Sequence, residues 1–174
     1  MDCIGPDDVH DHHQQIPYGD NWCIMNRANH ALTASSSSVI DVLASLDMPR
    51  NRLAAHHHIV ARVSPEVVIK LVALLGSDTR TVCAMIGIHR DALNRRIRRG
   101  AHLSPAQGDR LYWVVLALEA VISLHNGNIT KSMRWLTRPA WGLGGERPAE
   151  VLTSPMGAQA VIDLAGRIEH GVPY

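Results

Sequence analysis

The segment from Asp78 to Gly100 constrains the fold most, because it holds two short apolar patterns of helical period with a glycine between them. The first pattern predicts a helix that Asp78 or Thr79 caps and that Gly87 ends, since glycine readily adopts the left-handed conformation. The second predicts a helix from about Arg90 to Arg99. The residues expected to face inward are Val82, Cys83, Ile86, Ile88, Ala92, Leu93 and Ile97. Two such helices around a tight turn are typical of a helix-turn-helix, whose second helix enters the DNA major groove.

Positive charge is concentrated in this segment. Residues 79–100 hold six arginines against one acid, Asp91, whereas the whole chain has a formal net charge of +1. Concentrated cations favour nucleic acid, because each neutralised phosphate releases counterions. The residues predicted to contact DNA are Thr79, Arg80, Arg90, Asn94, Arg95, Arg98 and Arg99. The alternative is a solvated arginine-rich helix on a protein that does not bind DNA.

One position departs from the usual helix-turn-helix pattern. Arg96 lies three residues after Leu93, where such motifs often bury an apolar side chain. Ile97 is expected to take that buried role instead.

The chain after residue 34 shows helical patterns throughout, and the predicted fold class is all-α. The pairs Ser64-Pro65, Ser104-Pro105 and Ser154-Pro155 are helix starts. The helix after Ser104 runs to about His125 and is apolar around most of its circumference, which predicts burial. It is expected to form either the core that links two subdomains or the seam of a homodimer.

These patterns divide the chain into four segments. Residues 1–34 have few periodic apolar positions and are expected to be a disordered tail, within which Met25 is an alternative translation start. Residues 35–63 are expected to be a transitional helical segment. Residues 64–127 are predicted to hold the helix-turn-helix domain and its long connecting helix, and residues 128–174 a small helical domain.

Histidine clusters raise the question of a metal site. His10, His12 and His13 lie near Cys3 and Cys23, but their spacing matches no closed zinc pattern. Residues 56–58 are three adjacent histidines, which point in different directions on a helix and are expected to form a surface cluster. No metal and no cofactor are therefore expected. No nucleophile–base pair or paired carboxylate set emerges either, so an enzyme is the least expected class.

Several features predict a cytoplasmic protein. The chain does not begin with a basic segment and an apolar run, so no signal peptide is expected. The most apolar stretch, Tyr112 to Leu124, is interrupted by Glu119 and is too short to span a bilayer. The three cysteines form no paired framework, which fits a reducing compartment.

The C-terminal third holds a distinctive series of short motifs: Trp135-Leu136, Pro139, Leu143-Gly144-Gly145, the helix from Pro148 to Leu152 and the closing run from Gly166 to Gly171. This series resembles the toxin-binding domain of the Xre/MbcA/ParS antitoxins. The central helix pair also resembles the Xre-like half of that family, and the resemblance covers about residues 60–174. Two departures are Val151, where the family commonly has Leu, and residues 126–129, where it often has Phe-Gly-Asp-Glu.

The resemblance implies an antitoxin of a type II toxin–antitoxin system. The implied partner is a RES-domain toxin that destroys NAD, which the antitoxin binds and blocks at its active site. The helix-turn-helix would bind operator DNA, repress the antitoxin's own operon and pair as a homodimer. Two alternatives stay open: a DNA-binding regulator without a toxin partner, and an antitoxin whose helix-turn-helix no longer binds DNA.

The end of the last helix is the candidate toxin contact. The residues predicted to bind the toxin are Arg167, Glu169, His170, Gly171, Val172, Pro173 and Tyr174. The last four form a short tail with one aromatic ring, which is expected to enter a pocket built for an anionic, ring-bearing ligand such as NAD. The alternative for the tail is simple fraying. Trp135 and Trp141 are expected to pack in the core and in a loop rather than to contact the toxin.

Overall fold

The computed structural model describes residues 40–172, and every structural statement below concerns that range. The predictions made for residues 1–39, including the tail and its histidines, lie outside the described residues. The same holds for Pro173 and Tyr174.

The described residues are helical and contain no strand, which confirms the predicted all-α class. In chain order the helices are α1 (Val42–Ser45), α2 (Arg52–Val60), α3 (Glu66–Leu75), α4 (Thr79–Ile86), α5 (Arg90–Arg98), α6 (Pro105–Leu124), α7 (Ile129–Leu136), α8 (Pro148–Val151) and α9 (Pro155–Glu169). A short 3-10 turn, Trp141–Leu143, lies between α7 and α8.

The helix starts follow from local capping. The side chains that accept a backbone N–H of the first turn are Asp41, Asn51, Asp78, Asn128 and Ser154. At the start of α6 the Ser104 hydroxyl accepts from the Gln107 N–H at 3.3 Å, and the Gln107 side chain accepts from the Ser104 N–H at 3.1 Å. This reciprocal capping box, followed by Pro105, fixes the first turn of the longest helix.

Helix α6 is the centre of the core. Its fully buried side chains include Leu111, Val114, Val115, Leu118, Val121 and Ile122. It packs most extensively against α9 and also contacts α1, α2, α4 and α7. Of the two roles predicted for this helix, the structure therefore places it in the core of one chain, where neighbours from both sides of the sequence explain its apolar circumference.

Residues 40–63 contribute to the same core, although their pattern had suggested a transitional segment. Val42, Leu43 and Leu46 are buried, and Arg50 forms an ion pair with Asp41 at 2.9 Å. Arg50 also pairs with Glu119 of α6, where burial raises the pKa of the carboxyl against the opposing effect of the guanidinium. The described residues form one compact unit.

The two last helices approach each other too closely for any side chain at Gly157. A Cβ atom there would lie 1.9 Å from the backbone carbonyl oxygen of Val151. This contact allows α9 to begin directly against the end of α8, while Ser154 caps it through a 3.1 Å hydrogen bond from the Gly157 N–H. No helix in the range 40–172 is long and apolar enough to cross a membrane.

Candidate nucleic-acid interface and partner-binding surface

The corner between α4 and α5 has the geometry that the sequence predicted. Asp78, rather than Thr79, caps α4 by accepting the Thr81 N–H at 2.9 Å, and the Thr81 hydroxyl also donates to it. These hydrogen bonds hold the pKa of Asp78 below its usual value, and the one from the Thr81 hydroxyl has the larger effect. Gly87 takes the left-handed conformation at φ 69°, and Ile88 fills the corner at 5% exposure.

The outer face of α5 carries the predicted DNA-contacting residues. Arg90, Arg95, Arg98 and Arg99 are exposed, and Asn94 is half-buried. Residues 90, 94 and 98 are spaced four apart and so lie in one row along the helix. None of the four arginines forms an ion pair with another residue between 40 and 172. Within residues 40–172 these arginines are donors without partners on one side of a helix, as a phosphate- or base-contacting helix requires.

Arg96 has a structural role that separates it from the other arginines. It is half-buried, and its guanidinium donates to the backbone carbonyl of His102 at 2.8 Å. The bond ties the loop that follows α5 back onto the helix. Ile97 is partly buried and packs against the core, as predicted.

Thr79 and Arg80 lie at the start of α4, next to the C-terminal helices. Arg80 is exposed, and it lines an open groove of about 420 Å³ together with Thr81, Ala84, Met85, Ala149, Glu150 and Thr153. The groove lies where α4 contacts α8. No local pattern predicts this juxtaposition, because the residues that form it are about 70 positions apart.

The described part of the predicted toxin contact lies at the end of α9. Glu169 and His170 are exposed, and Val172 is 50% exposed. Gly171 takes φ 65°, and the Val172 N–H donates to the Arg167 carbonyl at 2.9 Å, which fixes the turn that closes the helix. Arg167 is half-buried, and its Nε has no hydrogen-bond partner within residues 40–172. The structure thus brings Arg167 to Val172 together on one helix end.

Trp141 corrects the expectation that it packs in a loop. Its side chain is 90% exposed, and Met156 at the start of α9 is 80% exposed. Trp135, by contrast, is partly buried, with its ring centroid 6.3 Å from that of His125. Trp135 precedes the buried Leu136 at the end of α7, whereas Trp141 begins a glycine-rich turn, and this local difference separates the two tryptophans.

No group of three or more potential metal ligands occurs in the part of the chain that the structure describes. His56 and His57 are exposed on α2, and His58 is half-buried, consistent with the predicted surface cluster. Burial raises the pKa of the Cys83 thiol, because it disfavours the charged thiolate.

Two family models match this chain. A model described as the antitoxin Xre-like helix-turn-helix domain matches residues 54–115. A model described as the antitoxin Xre/MbcA/ParS C-terminal toxin-binding domain matches residues 117–171. The boundary between the two matches falls inside α6, so the two regions share one continuous helix.

Two curated relatives each match about half of the chain. An antitoxin Xre of Yersinia enterocolitica is 35% identical over 86 residues, which are 49% of this chain and 58% of the relative. An antitoxin Xre of Photorhabdus laumondii is 31% identical over 91 residues, which are 52% of this chain and 62% of that relative. The matched region therefore spans about three fifths of the length of each relative.

Proposed function

Because this chain belongs to the Xre-type antitoxin family, we propose that it is the antitoxin of a type II toxin–antitoxin pair. The observation that carries the proposal is the match of residues 117–171 to a domain described as toxin-binding. The exposed residues 169–171 at the end of α9 and the exposed Trp141 belong to that region and supply contact surface.

The toxin in this proposal is a RES-domain enzyme that degrades NAD, and the antitoxin blocks its active site. The tail that follows α9 is the proposed blocking element. The turn at Gly171 supports this role, because the hydrogen bond from the Val172 N–H to the Arg167 carbonyl fixes the position at which the tail leaves α9.

Deleting Val172 to Tyr174 is expected to abolish toxin inhibition without unfolding the protein. The deletion removes one described backbone hydrogen bond, from Val172 to Arg167, so the change in stability should stay within about 1 kcal/mol. Toxin activity in the purified complex and a thermal melt of the shortened chain are the measurements. A chain that lacks residues 1–34 is the control, because that segment lies outside both matched regions. Full inhibition by the chain without its tail would contradict this role.

The second proposed activity is autorepression through operator DNA. The arginine row of α5 supports it, because the guanidinium groups are exposed and unpaired among the described residues. Operator binding also implies action in the cytoplasm and a homodimer, since helix-turn-helix proteins pair half-sites about one helical turn apart. Most apolar side chains of α6 are buried within one chain, which favours a dimer surface elsewhere.

Replacing Arg95 and Arg98 with alanine is expected to abolish operator binding and to leave toxin binding intact. If each arginine neutralises one phosphate, the slope of log affinity against log salt should fall by about 2. Electrophoretic mobility or anisotropy titrations at several salt concentrations measure both effects. Arg52 and Arg62, both exposed and without ion pairs in the described range, form the charge-matched control pair when replaced by alanine. Loss of toxin binding in the α5 variant would argue against separate surfaces.

Co-expression with the product of the neighbouring gene tests the function as a whole. If that product alone stops growth and drains cellular NAD, and this chain restores both, the antitoxin proposal stands. If the product is harmless alone, or this chain does not rescue growth, the regulator without a toxin partner replaces it. Rescue without any operator binding would identify an antitoxin whose helix-turn-helix serves assembly alone.

A further inference from the structure

A second charged surface lies along α7 and the residues that flank it. An open groove of about 200 Å³ is lined by His125, Lys131, Arg134, Trp135 and Arg138. Lys131 and Arg134 are three residues apart and lie on one side of α7, and Arg138 follows two residues after the helix ends. All three are exposed, and none forms an ion pair with another residue of the described range.

The floor of this groove is aromatic. His125 donates from Nδ1 to the Val121 carbonyl at 2.9 Å, because a carbonyl can only accept, and this places the proton on Nδ1. The neighbouring Trp135 ring is partly buried. Arginine and tryptophan are enriched at the centres of protein interfaces, and the planar guanidinium matches a carboxylate through two parallel hydrogen bonds.

We propose that the α7 groove binds acidic side chains of the toxin, as a second contact beside the α9 terminus. The inference rests on the proposed toxin-binding function. Position favours a toxin over DNA as the occupant, because the groove residues lie within the region 117–171, beyond the end of the helix-turn-helix match at residue 115. Size favours single carboxylates over a nucleotide, because small-molecule pockets usually exceed about 300 Å³.

The test compares two charge-matched variants of the full chain in titrations against the purified product of the neighbouring gene. Arg134→Gln combined with Arg138→Gln is expected to weaken toxin binding about tenfold at low salt, mainly through slower association. The difference should shrink at about 1 M salt, where screening extends over only about 3 Å. The control, Arg52→Gln combined with Arg62→Gln, should bind like the wild type. Thermal melts check that both variants fold, which the exposure of all four arginines supports.

Three other results of these titrations would contradict the inference or the function on which it rests. Unchanged toxin affinity of the α7 variant, in a wild-type complex that does form, would overturn this inference and leave the proposed function standing. Loss of operator binding by the same variant, with toxin affinity retained, would assign the groove to DNA phosphates instead. A wild-type chain that binds no toxin would refute the proposed function, and the inference would fall with it.

Discussion

Replacing Gly157 with alanine is expected to destabilise the protein by at least about 3 kcal/mol. The new Cβ would lie 1.9 Å from the Val151 carbonyl oxygen, and backbone cannot yield as a flexible side chain does. Relief requires α9 to move off α8, which would disturb the packing of α9 on α6. Chemical denaturation followed by circular dichroism measures the loss. A change in stability below about 1 kcal/mol would show that the two helices do not approach this closely.

Gly166 provides the matched control on the same helix. A Cβ there would meet no atom within 4 Å, so alanine adds no clash and only improves helix propensity. Gly166→Ala is expected to stabilise the protein by up to about 1 kcal/mol. The opposite signs of the two substitutions separate a close backbone approach from a general effect of alanine in α9.

The loss of stability caused by Gly157→Ala should also affect the helix-turn-helix. Helix α6 lies in both matched regions, and it contacts α4 on one side and α9 on the other. A single compact unit with a shared central helix is expected to unfold in one transition. We therefore expect operator binding and toxin binding to be lost together at the same denaturant concentration.

The sequence predicted the parts of the fold that local chemistry determines. The α4–α5 corner depends on the Asp78 cap and on the left-handed conformation of Gly87, and each is a short-range signal. The exposure of the arginines on α5 follows from the spacing of the buried Leu93 and the partly buried Ile97. The all-α class and the burial of α6 follow from apolar periodicity in the same way.

The sequence patterns did not predict the packing of helices that are distant along the chain. The contact of α4 with α8 joins residues about 70 positions apart, and no local pattern encodes such a pairing. The apolar pattern of residues 40–63 is weak, because α1 spans only four residues. Their burial results from contacts with α6, which no pattern within the segment predicts. The close approach of Gly157 to the Val151 carbonyl cannot be predicted from periodicity, which does not distinguish one helical glycine from another. The predicted contacts on α5 and at the α9 terminus remain predictions, because exposure makes a contact possible without identifying the partner.

Replacing Trp141 with alanine is expected to weaken toxin binding by about 30- to 1000-fold, or about 2–4 kcal/mol. The prediction rests on the proposed antitoxin function. The 3-10 turn is held by hydrogen bonds from the Leu143 and Gly145 N–H groups to the Ala140 carbonyl, at 3.0 Å each. An exposed tryptophan on a fixed turn loses little freedom on binding and buries a large apolar ring, which is the usual character of an interface anchor.

The same substitution should leave stability unchanged, because a side chain that is 90% exposed contributes little to folding. A thermal melt checks this, and calorimetric titration with the toxin measures the loss of affinity. Leu53→Ala is the control: Leu53 is 64% exposed on α2 and lies outside both matched regions, so its removal should not alter toxin binding. A change of less than about threefold for Trp141→Ala would exclude this ring from the interface. Toxin binding would then depend on the end of α9 and on the α7 groove. The affinity of such charged contacts falls as the salt concentration rises, whereas the affinity of an apolar contact does not.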